Sequence, residues 1–558
     1  MKRIVEKDGM LVISFDYSPY ILSDVRLLPA RRYDYLQKVW SVPAKHREAV
    51  AQFARRHGFS MEMRANDRIF AGFDYSIPDM PELTQAIPLK KELFAFQRQG
   101  VAYAIRQKRL IVGDQPGLGK TCQAIAAITA AGAFPCLVIC PGSVKINWQR
   151  EWEMWTGKRV MIMDDGVKRT WPLFYERGMT DVFIVNYESL KKFFVTDILR
   201  PANPETGKKA PLTLRHVRFN ANISIFKSVI VDESHRVKDL KTQQTKFTKG
   251  ICQGKEHILL LTGTPVVNKP RDLISQLGII DRLPEVGGYR KFVELFCDRE
   301  DRWRELNVLL RRHCFYRREK KDVLSQLPAK VRQSVLCDIS TRKEYGEAMR
   351  DLETYLRKWR QATDEQVQRS MKGEIMVRIG ILKNISARGK ISDVTDYVND
   401  ATECGDKIIL FVHLKEVSGA LKKAFPDAVT ILGDDDLRTR QRNIDRFQSD
   451  DSVKVIICSI KAAGVGITLT ASSRVAFVEL PWHPADCEQC EDRAHRIGQK
   501  DSVQCTYFLG RDTIDEWIYQ IIGQKRDMSR QITGSREEIE ESVINGVIEL
   551  LENRYELH

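Results

Sequence analysis

Residues 111–121 read "IVGDQPGLGKT", with "RL" before them and "CQAIAAITAA" soon after. An apolar run, a glycine-rich turn and a small-residue helix in that order constrain the chain to a strand, a loop and a helix. The loop fits the phosphate-binding pattern G-x-x-x-x-G-K-[ST] except at its first position, where Asp114 replaces glycine. Gly117 and Gly119 let backbone N–H groups wrap a triphosphate, and the helix beginning near Lys120 directs the positive end of its dipole at the β-phosphate. Lys120 is then placed to reach the β- and γ-oxygens and Thr121 to hold Mg²⁺. The alternative is a plain strand-to-helix turn carrying a surface lysine.

A phosphate loop of this kind needs an acid at the end of a second buried strand. "FKSVIVDESHRVK" at 226–238 supplies Asp232 and Glu233 after the run Val229, Ile230, Val231. Asp232 suits Mg²⁺ and Glu233 suits activation of the attacking water. Taken alone, two acids at a strand end would read as a solvated terminus, so the upstream loop gives them their meaning.

At 558 residues the chain is too long for one core, and about 150 residues per domain implies three or four units. The net charge of +15 favours a polyanionic partner over an acidic protein surface. No apolar run approaches the ~20 residues that cross a bilayer, and the first residues lack a signal-peptide core. The twelve cysteines are scattered without a disulfide framework, as expected of an intracellular protein. Cys487 and Cys490 form a lone C-x-x-C on a helical stretch, where packing is the expected role.

Upstream of the loop, "LFAFQRQGVAYAI" places Gln97 on a helix, with an amide able to pair with an adenine edge. Downstream, "CLVICPGSVKINWQREWEMW", "VFIVNYESL" and "ILLLTGTPVVN" each read as a buried strand ending in small or hydroxyl residues, the pattern of the ligand-binding edge of a parallel sheet. After a charged, helix-rich stretch, "DKIILFVHL", "KVIICSIKAAGVGITLT" and "RVAFVELPWHP" alternate with helices and predict a second parallel α/β sheet. "EQCEDRAHRIGQ" sets Arg493 and Arg496 three residues apart on one helical face, a pair suited to a γ-phosphate supplied from the other lobe. By itself that string would read as a basic helix surface.

This succession resembles superfamily-two helicase-type ATPases, and more narrowly the Snf-type DNA translocases of chromatin remodelling and fork repair. The likeness rests on "DQPGLGKT", "DESHRVKDLKTQQTK", "LTGTPVVN", "FYRREKKDVLSQLPAK", "AAGVGITLTAS" and "DRAHRIGQ", and covers roughly residues 93–525. In that family an acidic residue regularly stands where Asp114 does. Gln115 and Pro116 replace the usual Glu and Met, and Ser234 the alanine of the acid box.

The resemblance implies an α/β fold of two RecA-like parallel-sheet lobes, with ATP and Mg²⁺ bound between them. It implies that Gln97 meets adenine, that Asp114, Gly117, Leu118, Gly119, Lys120 and Thr121 form the phosphate site, and that Gly464 and Gly466 complete it from the second lobe. Asp232 and Glu233 would serve metal and water, Arg493 and Arg496 the γ-phosphate, and His235 and Gln489 would couple the lobes. Double-stranded or branched DNA would lie across both lobes, with Ser143, Lys145, Thr264, Ser459, Lys461 and Trp482 as contacts. Hydroxyls and lysines at strand ends can equally cap helices.

The expected division is a small α+β module at 1–75, a linker at 76–92, lobe 1 at 93–340, a helical connector at 341–388, lobe 2 at 389–535 and a C-terminal helix at 536–558. Residues 201–220 and 351–372 read as insertions. The stretch "ARRYDYLQKVWSVPAKHREAVAQFARRHGF" resembles the HepA-related (HARP) module of annealing helicases. There Tyr33 and Trp40 beside Arg31, Arg32 and Lys38 either stack on exposed bases or form the core of a hairpin. An intracellular monomer, working with other DNA-processing proteins, and in the cytoplasm or nucleoid if the source is bacterial or phage, is the expected setting. Two readings compete with a duplex translocase. A strand-separating or RNA-directed helicase is disfavoured because "HRIGQ" replaces the "QRxGRxGR" string of RNA helicases, and a dead scaffold is disfavoured by the intact Lys120, Asp232, Glu233 and arginine pair.

Overall fold

Runs of β-branched and aliphatic residues become the strands of three main sheets and one two-stranded ribbon in the computed structural model. It describes residues 2–7, 10–16, 18–34, 39–43, 46–61, 73–202, 209–263, 270–297, 302–324, 327–361, 365–463, 466–528 and 543–551. The first sheet joins β1 (Arg3–Lys7), β2 (Met10–Ser14), β3 (Arg32–Asp34), β4 (Val39–Pro43) and β5 (Ser60–Met61) in the order β3-β4-β2-β1-β5. Ile4, Leu11, Ile13 and Val42 pack with Val50 and Phe53 of the helix Arg47–His57. Tyr33 and Trp40 face each other across β3 and β4 with ring centroids 4.9 Å apart, half-buried, and Trp40 also packs on that core.

The second sheet contains β6 (Arg109–Val112), β7 (Cys136–Cys140), β8 (Val160–Ile162), β9 (Val182–Asn186), β12 (Ser228–Asp232), β13 (His257–Leu261) and β14 (Phe315–Tyr316). All pair in parallel, in the order β14-β6-β13-β12-β7-β9-β8. Because β6, β13 and β12 are neighbours, the phosphate loop, Gly263 and the Asp232–Glu233 pair emerge side by side at one sheet edge. The ribbon of β10 (Val195–Ile198) and β11 (Val217–Phe219) forms the base of the 201–220 insertion. The 76–92 stretch is more than a linker, for Met80, Leu83, Ile87 and Leu89 pack against this sheet's core. Ahead of it, Arg312 donates to the Ser76 carbonyl and Asp74 carboxylate while Tyr75 donates to Glu305 at 2.8 Å, strapping 74–76 to the helix Trp303–His313.

The third sheet is also all parallel. It takes β15 (Lys330–Cys337), β16 (Ile408–Val412), β17 (Val429–Ile431), β18 (Val455–Ser459), β19 (Arg474–Phe477) and β20 (Val503–Gly510) in the order β15-β20-β19-β16-β18-β17. This moves the expected boundary at residue 340. Lys330–Cys337 pairs along its whole length with β20, although "KVRQSVLC", a half-exposed edge strand, has no apolar run to announce it. The expected connector likewise belongs to this lobe, since the helices Arg342–Gln361 and Glu365–Gly389 bury Leu352, Leu356, Ile375, Ile379, Leu382 and Ile385 in the core that holds Phe477 and Tyr507. Many charges on the outer faces of these helices masked that stripe in the sequence. Val543, Val547 and Leu551 of the 543–551 helix enter the same core.

Candidate active site

The loop after β6 turns through Gly117 and Gly119, both at positive φ (+88° and +77°), where side chains are strained. A Cβ on Gly119 would come within 2.5 Å of the Gln97 amide nitrogen, and one on Gly117 within 2.9 Å of the Arg496 Cβ. The glycines thus leave a backbone cradle at the start of the twelve-residue helix Lys120–Ala131, which fits an anionic phosphate chain. Desolvation holds the Lys120 ammonium below its ordinary pKa, an effect opposed by the charges of Glu233, Asp114 and Asp232. Its Nζ donates to the Asp114 carbonyl at 2.7 Å. Thr121 is half-buried in the first turn of the helix.

Two expected nucleotide contacts have other partners. Asp114 faces away from the cradle as a fully buried carboxylate. It accepts from Arg318 Nη2 at 2.5 Å, Arg318 Nε at 3.1 Å, the Arg318 backbone N–H at 3.0 Å and Gln123 at 3.0 Å. Its side chain thus anchors the loop to the segment after β14. Gln97 accepts from the Phe94 N–H and donates to the Leu118 carbonyl at 3.2 Å, so in this arrangement its amide supports the loop from behind. Leu118 contributes backbone, its side chain being fully buried.

Asp232 ends β12. Trp148 Nε1 donates to its Oδ2 at 2.8 Å, and the Tyr187 hydroxyl donates to its carbonyl at 2.6 Å. Burial and the adjacent Glu233 push the Asp232 carboxyl up to about 6, against the Trp148 hydrogen bond. Glu233 holds the left-handed backbone at φ +51°, a costly conformation for a side-chain-bearing residue. His235 Nδ1 lies 3.4 Å from Glu233 Oε2. A half-buried acid that resists ionisation beside a second acid fits a divalent cation, whose charge would compensate them. No group of three or more His, Cys, Asp or Glu side chains suited to a metal assembles among the described residues. Mg²⁺ needs few protein ligands when phosphate oxygens and waters complete its shell.

The second lobe reaches this cradle through Arg493 and Arg496. Arg493 is buried and its guanidinium falls below its ordinary pKa by burial, with Cys490, Glu233, Asp492 and Asp232 countering. Arg496 donates to the Ile467 carbonyl at 3.0 Å and feels the carboxylate of Glu151. A Cβ on Gly466 would meet Val144 Cγ1 at 2.2 Å, so Gly466 touches the first lobe beside Ser143 and Lys145. Ser459 ends β18, Lys461 follows it exposed, and Trp482 packs on the lobe 2 core under Lys383 at 4.0 Å. Gln489 is half-buried on the helix Pro484–Glu491. Thr264 and Gly464 lie outside the described residues.

Sequence reasoning missed several residues here. Arg318, Lys320, Trp148 and Tyr187 lie inside quoted stretches without an assigned role; the signal for the first two was "FYRREKKDV". Also missed was a cleft of about 390 Å³ between the lobes, where Arg150 makes a two-pronged ion pair with Asp445 (2.6 and 2.9 Å) and Arg438, Arg442 and Arg446 line the wall. Their spacing of four along Leu437–Ser449 was the available signal.

Residues 96–391, just over half of the chain, match the SNF2-related domain, and 389–498 match the helicase conserved C-terminal domain. The chain belongs to the SNF2-related family. Its two parallel-sheet lobes are those of a helicase-type ATPase of that family, one that uses ATP with a divalent metal. It is 27% identical to the Caenorhabditis elegans SWI/SNF-related matrix-associated actin-dependent regulator of chromatin subfamily A-like protein 1 homolog, over 93% of this chain and 74% of that protein. It is 30% identical to the Mus musculus DNA annealing helicase and endonuclease ZRANB3, over 80% of this chain and 41% of that protein. The chain thus spans three quarters of the worm relative and under half of the mouse one. The Sulfolobus solfataricus SWI2/SNF2 ATPase core in complex with dsDNA matches over 80% of this chain and 94% of its own, at 24% identity and a TM-score of 0.38. No helix among the described residues is long and apolar enough to cross a membrane.

Proposed function

We propose that this chain is an ATP-driven translocase on double-stranded DNA that remodels forks, junctions and other branched structures. The observation that carries the reading is the packing of Arg496 from lobe 2 against Gly117 of the phosphate loop, with Arg493 within the field of Asp232 and Glu233. Hydrolysis then depends on the position of one lobe against the other, which is how a motor links chemistry to movement. The net charge of +15 and the arginine-lined cleft across the lobes support a nucleic-acid partner, and the mouse relative named as a DNA annealing helicase supports its branched form.

In this reading the loop N–H groups and Lys120 bind the phosphates, and Thr121 with Asp232 would hold Mg²⁺, which supplies charge neutralisation at the phosphate oxygens. Glu233, fixed by its own unusual backbone and by Asp232, accepts the proton of the attacking water. Arg493 and Arg496 neutralise charge at the γ-phosphate, and Trp148 and Tyr187 keep Asp232 aimed. Ser143, Lys145, Ser459 and Lys461 grip DNA phosphates beside the Val144–Gly466 contact. The 1–75 module, with Arg31, Arg32, Tyr33 and Trp40, engages the junction, and one chain suffices for the cycle.

Displacement of a third strand from a triplex on otherwise intact duplex tests translocation. The proposal expects ATP-dependent displacement that Glu233→Gln abolishes. Strand separation of a plain fork without triplex displacement would replace the translocase with a helicase.

A further inference from the structure

The segment that crosses from the second sheet to the third runs between Tyr316, which ends β14, and Lys330, which begins β15. Its two ends carry lysines that converge on one carboxylate: Lys320 Nζ lies 2.8 Å and Lys330 Nζ 3.2 Å from Asp492 Oδ1. Asp492 immediately precedes Arg493. Lys320 also donates to the His495 carbonyl at 2.6 Å, and the His495 ring nitrogen Nε2 lies 2.9 Å from the Pro328 carbonyl oxygen. Glu491, the residue before Asp492, pairs with Lys330 at 2.8 Å and takes both prongs of Arg332 at 2.6 Å. The crossing segment is therefore tied to 491–495 at Lys320, Pro328 and Lys330.

Lys320 is held from the first-lobe side as well. Its backbone N–H donates to Gln115 Oε1 at 2.8 Å, and the Gln115 N–H donates to the Arg318 carbonyl at 3.1 Å. Its Cε and Nζ lie 3.1 and 3.3 Å from where a Cβ on Gly117 would stand. One buried ammonium thus touches the phosphate loop on one side and the carboxylate next to Arg493 on the other. Lys330 belongs to the same sheet as Asp492's lobe, so that contact can persist when the lobes part. The Lys320 contact must break.

Resting on the ATPase reading above, we propose that Lys320 and Asp492 form a detachable clasp across the hinge that positions Arg493 and Arg496 on the phosphate loop, both acting as positioning residues.

Hydrogen exchange of the full-length protein without nucleotide tests this independently of turnover. Lys320→Met, close to lysine in length but uncharged, is expected to speed amide exchange about tenfold or more in 115–121 and 491–496, while β12 and β13 stay unchanged, because only the local opening becomes easier. Asp492→Asn is expected to do the same, and the double variant to add less than the sum. Lys320→Arg, which keeps the charge, should stay within about threefold of wild type in both segments. In ATPase assays with duplex DNA, Lys320→Met should lower kcat about tenfold or more with KM for ATP within about threefold, the mark of lost positioning. Unchanged exchange in 491–496, faster exchange spread through β12 and β13, Lys320→Arg behaving like Lys320→Met, or strictly additive singles would each overturn the clasp. Wild-type protein without ATPase activity would instead sink the motor reading, and the exchange results would still decide the clasp.

Discussion

Replacing Asp114 by glycine would give the phosphate loop its commonest sequence, and this structure predicts that the change does harm. Asp114 is fully buried, and it is paired with Arg318, whose side chain is 11% exposed. Removing one member of a buried ion pair costs about 3 to 5 kcal/mol, because the other charge is left without compensation. Glycine adds roughly 0.4 to 1 kcal/mol through the freedom it gives the unfolded chain. Arg318 keeps Gln123 Oε1 at 2.7 Å and the Phe96 carbonyl, which puts the loss toward the lower end of that range. At about 2 to 4 °C per kcal/mol for a domain of 150–250 residues, the first thermal transition should fall by roughly 7 to 15 °C. Tryptophan fluorescence during heating would follow it, since Trp148, Trp152 and Trp171 are all buried in this lobe. Adding Arg318→Met to Asp114→Gly should return part of the loss, since both charges are then gone. An Asp114→Gly protein that melts within about 2 °C of wild type would refute the view that Asp114 serves the fold and not the phosphate.

Glu233→Gln should abolish turnover while a fluorescent ATP analogue still binds, and turnover that survived would move the water-activating role elsewhere. Arg496→Ala and Arg493→Ala should each lower kcat by about 10³ to 10⁵ if the side chain stabilises the transferring phosphoryl group, and a loss under about tenfold would dismiss that arginine. The raised Asp232 carboxyl binds its proton more tightly folded than unfolded. Its contribution to the stability of the metal-free protein is therefore lost as pH rises from the ordinary carboxyl range to about 6. Mn²⁺ needs the ionised form, so it should raise the melting temperature more at pH 7.5 than at pH 5, and equal shifts would argue against Asp232 as a ligand. Deleting 1–72, a cut that spares the Asp74–Ser76 strap, should leave duplex-stimulated ATPase intact, weaken fork binding and reduce the salt slope by about 0.9 per lost phosphate contact. Fork preference that survived the deletion would assign substrate choice to the lobes.

The phosphate loop, the acid pair and the arginine pair were legible because each is a short string whose chemistry follows from its own residues. Parallel sheets were legible because their buried strands are continuous apolar runs. The partners of those strings were not. Arg318 lies 204 residues from Asp114 and Trp148 lies 84 from Asp232, and nothing local to a buried carboxylate says which distant donor will satisfy it. The pairing of the Asp114 carboxylate with Arg318 was missed for that reason. The boundary at 340 failed on a different ground. β15 is an edge strand with one face exposed, and the helices after it bury a narrow stripe under many charges, so neither resembles the core it joins.

In the proposed cycle, DNA drives closure of the two lobes around ATP. Steady-state ATPase rates of the full chain measured in parallel without nucleic acid and with single-stranded DNA, duplex DNA, forked DNA and RNA test it most directly. Low activity alone, strong stimulation by duplex and forked DNA, and little by RNA are expected. Equal stimulation by RNA, or none by duplex, would contradict it.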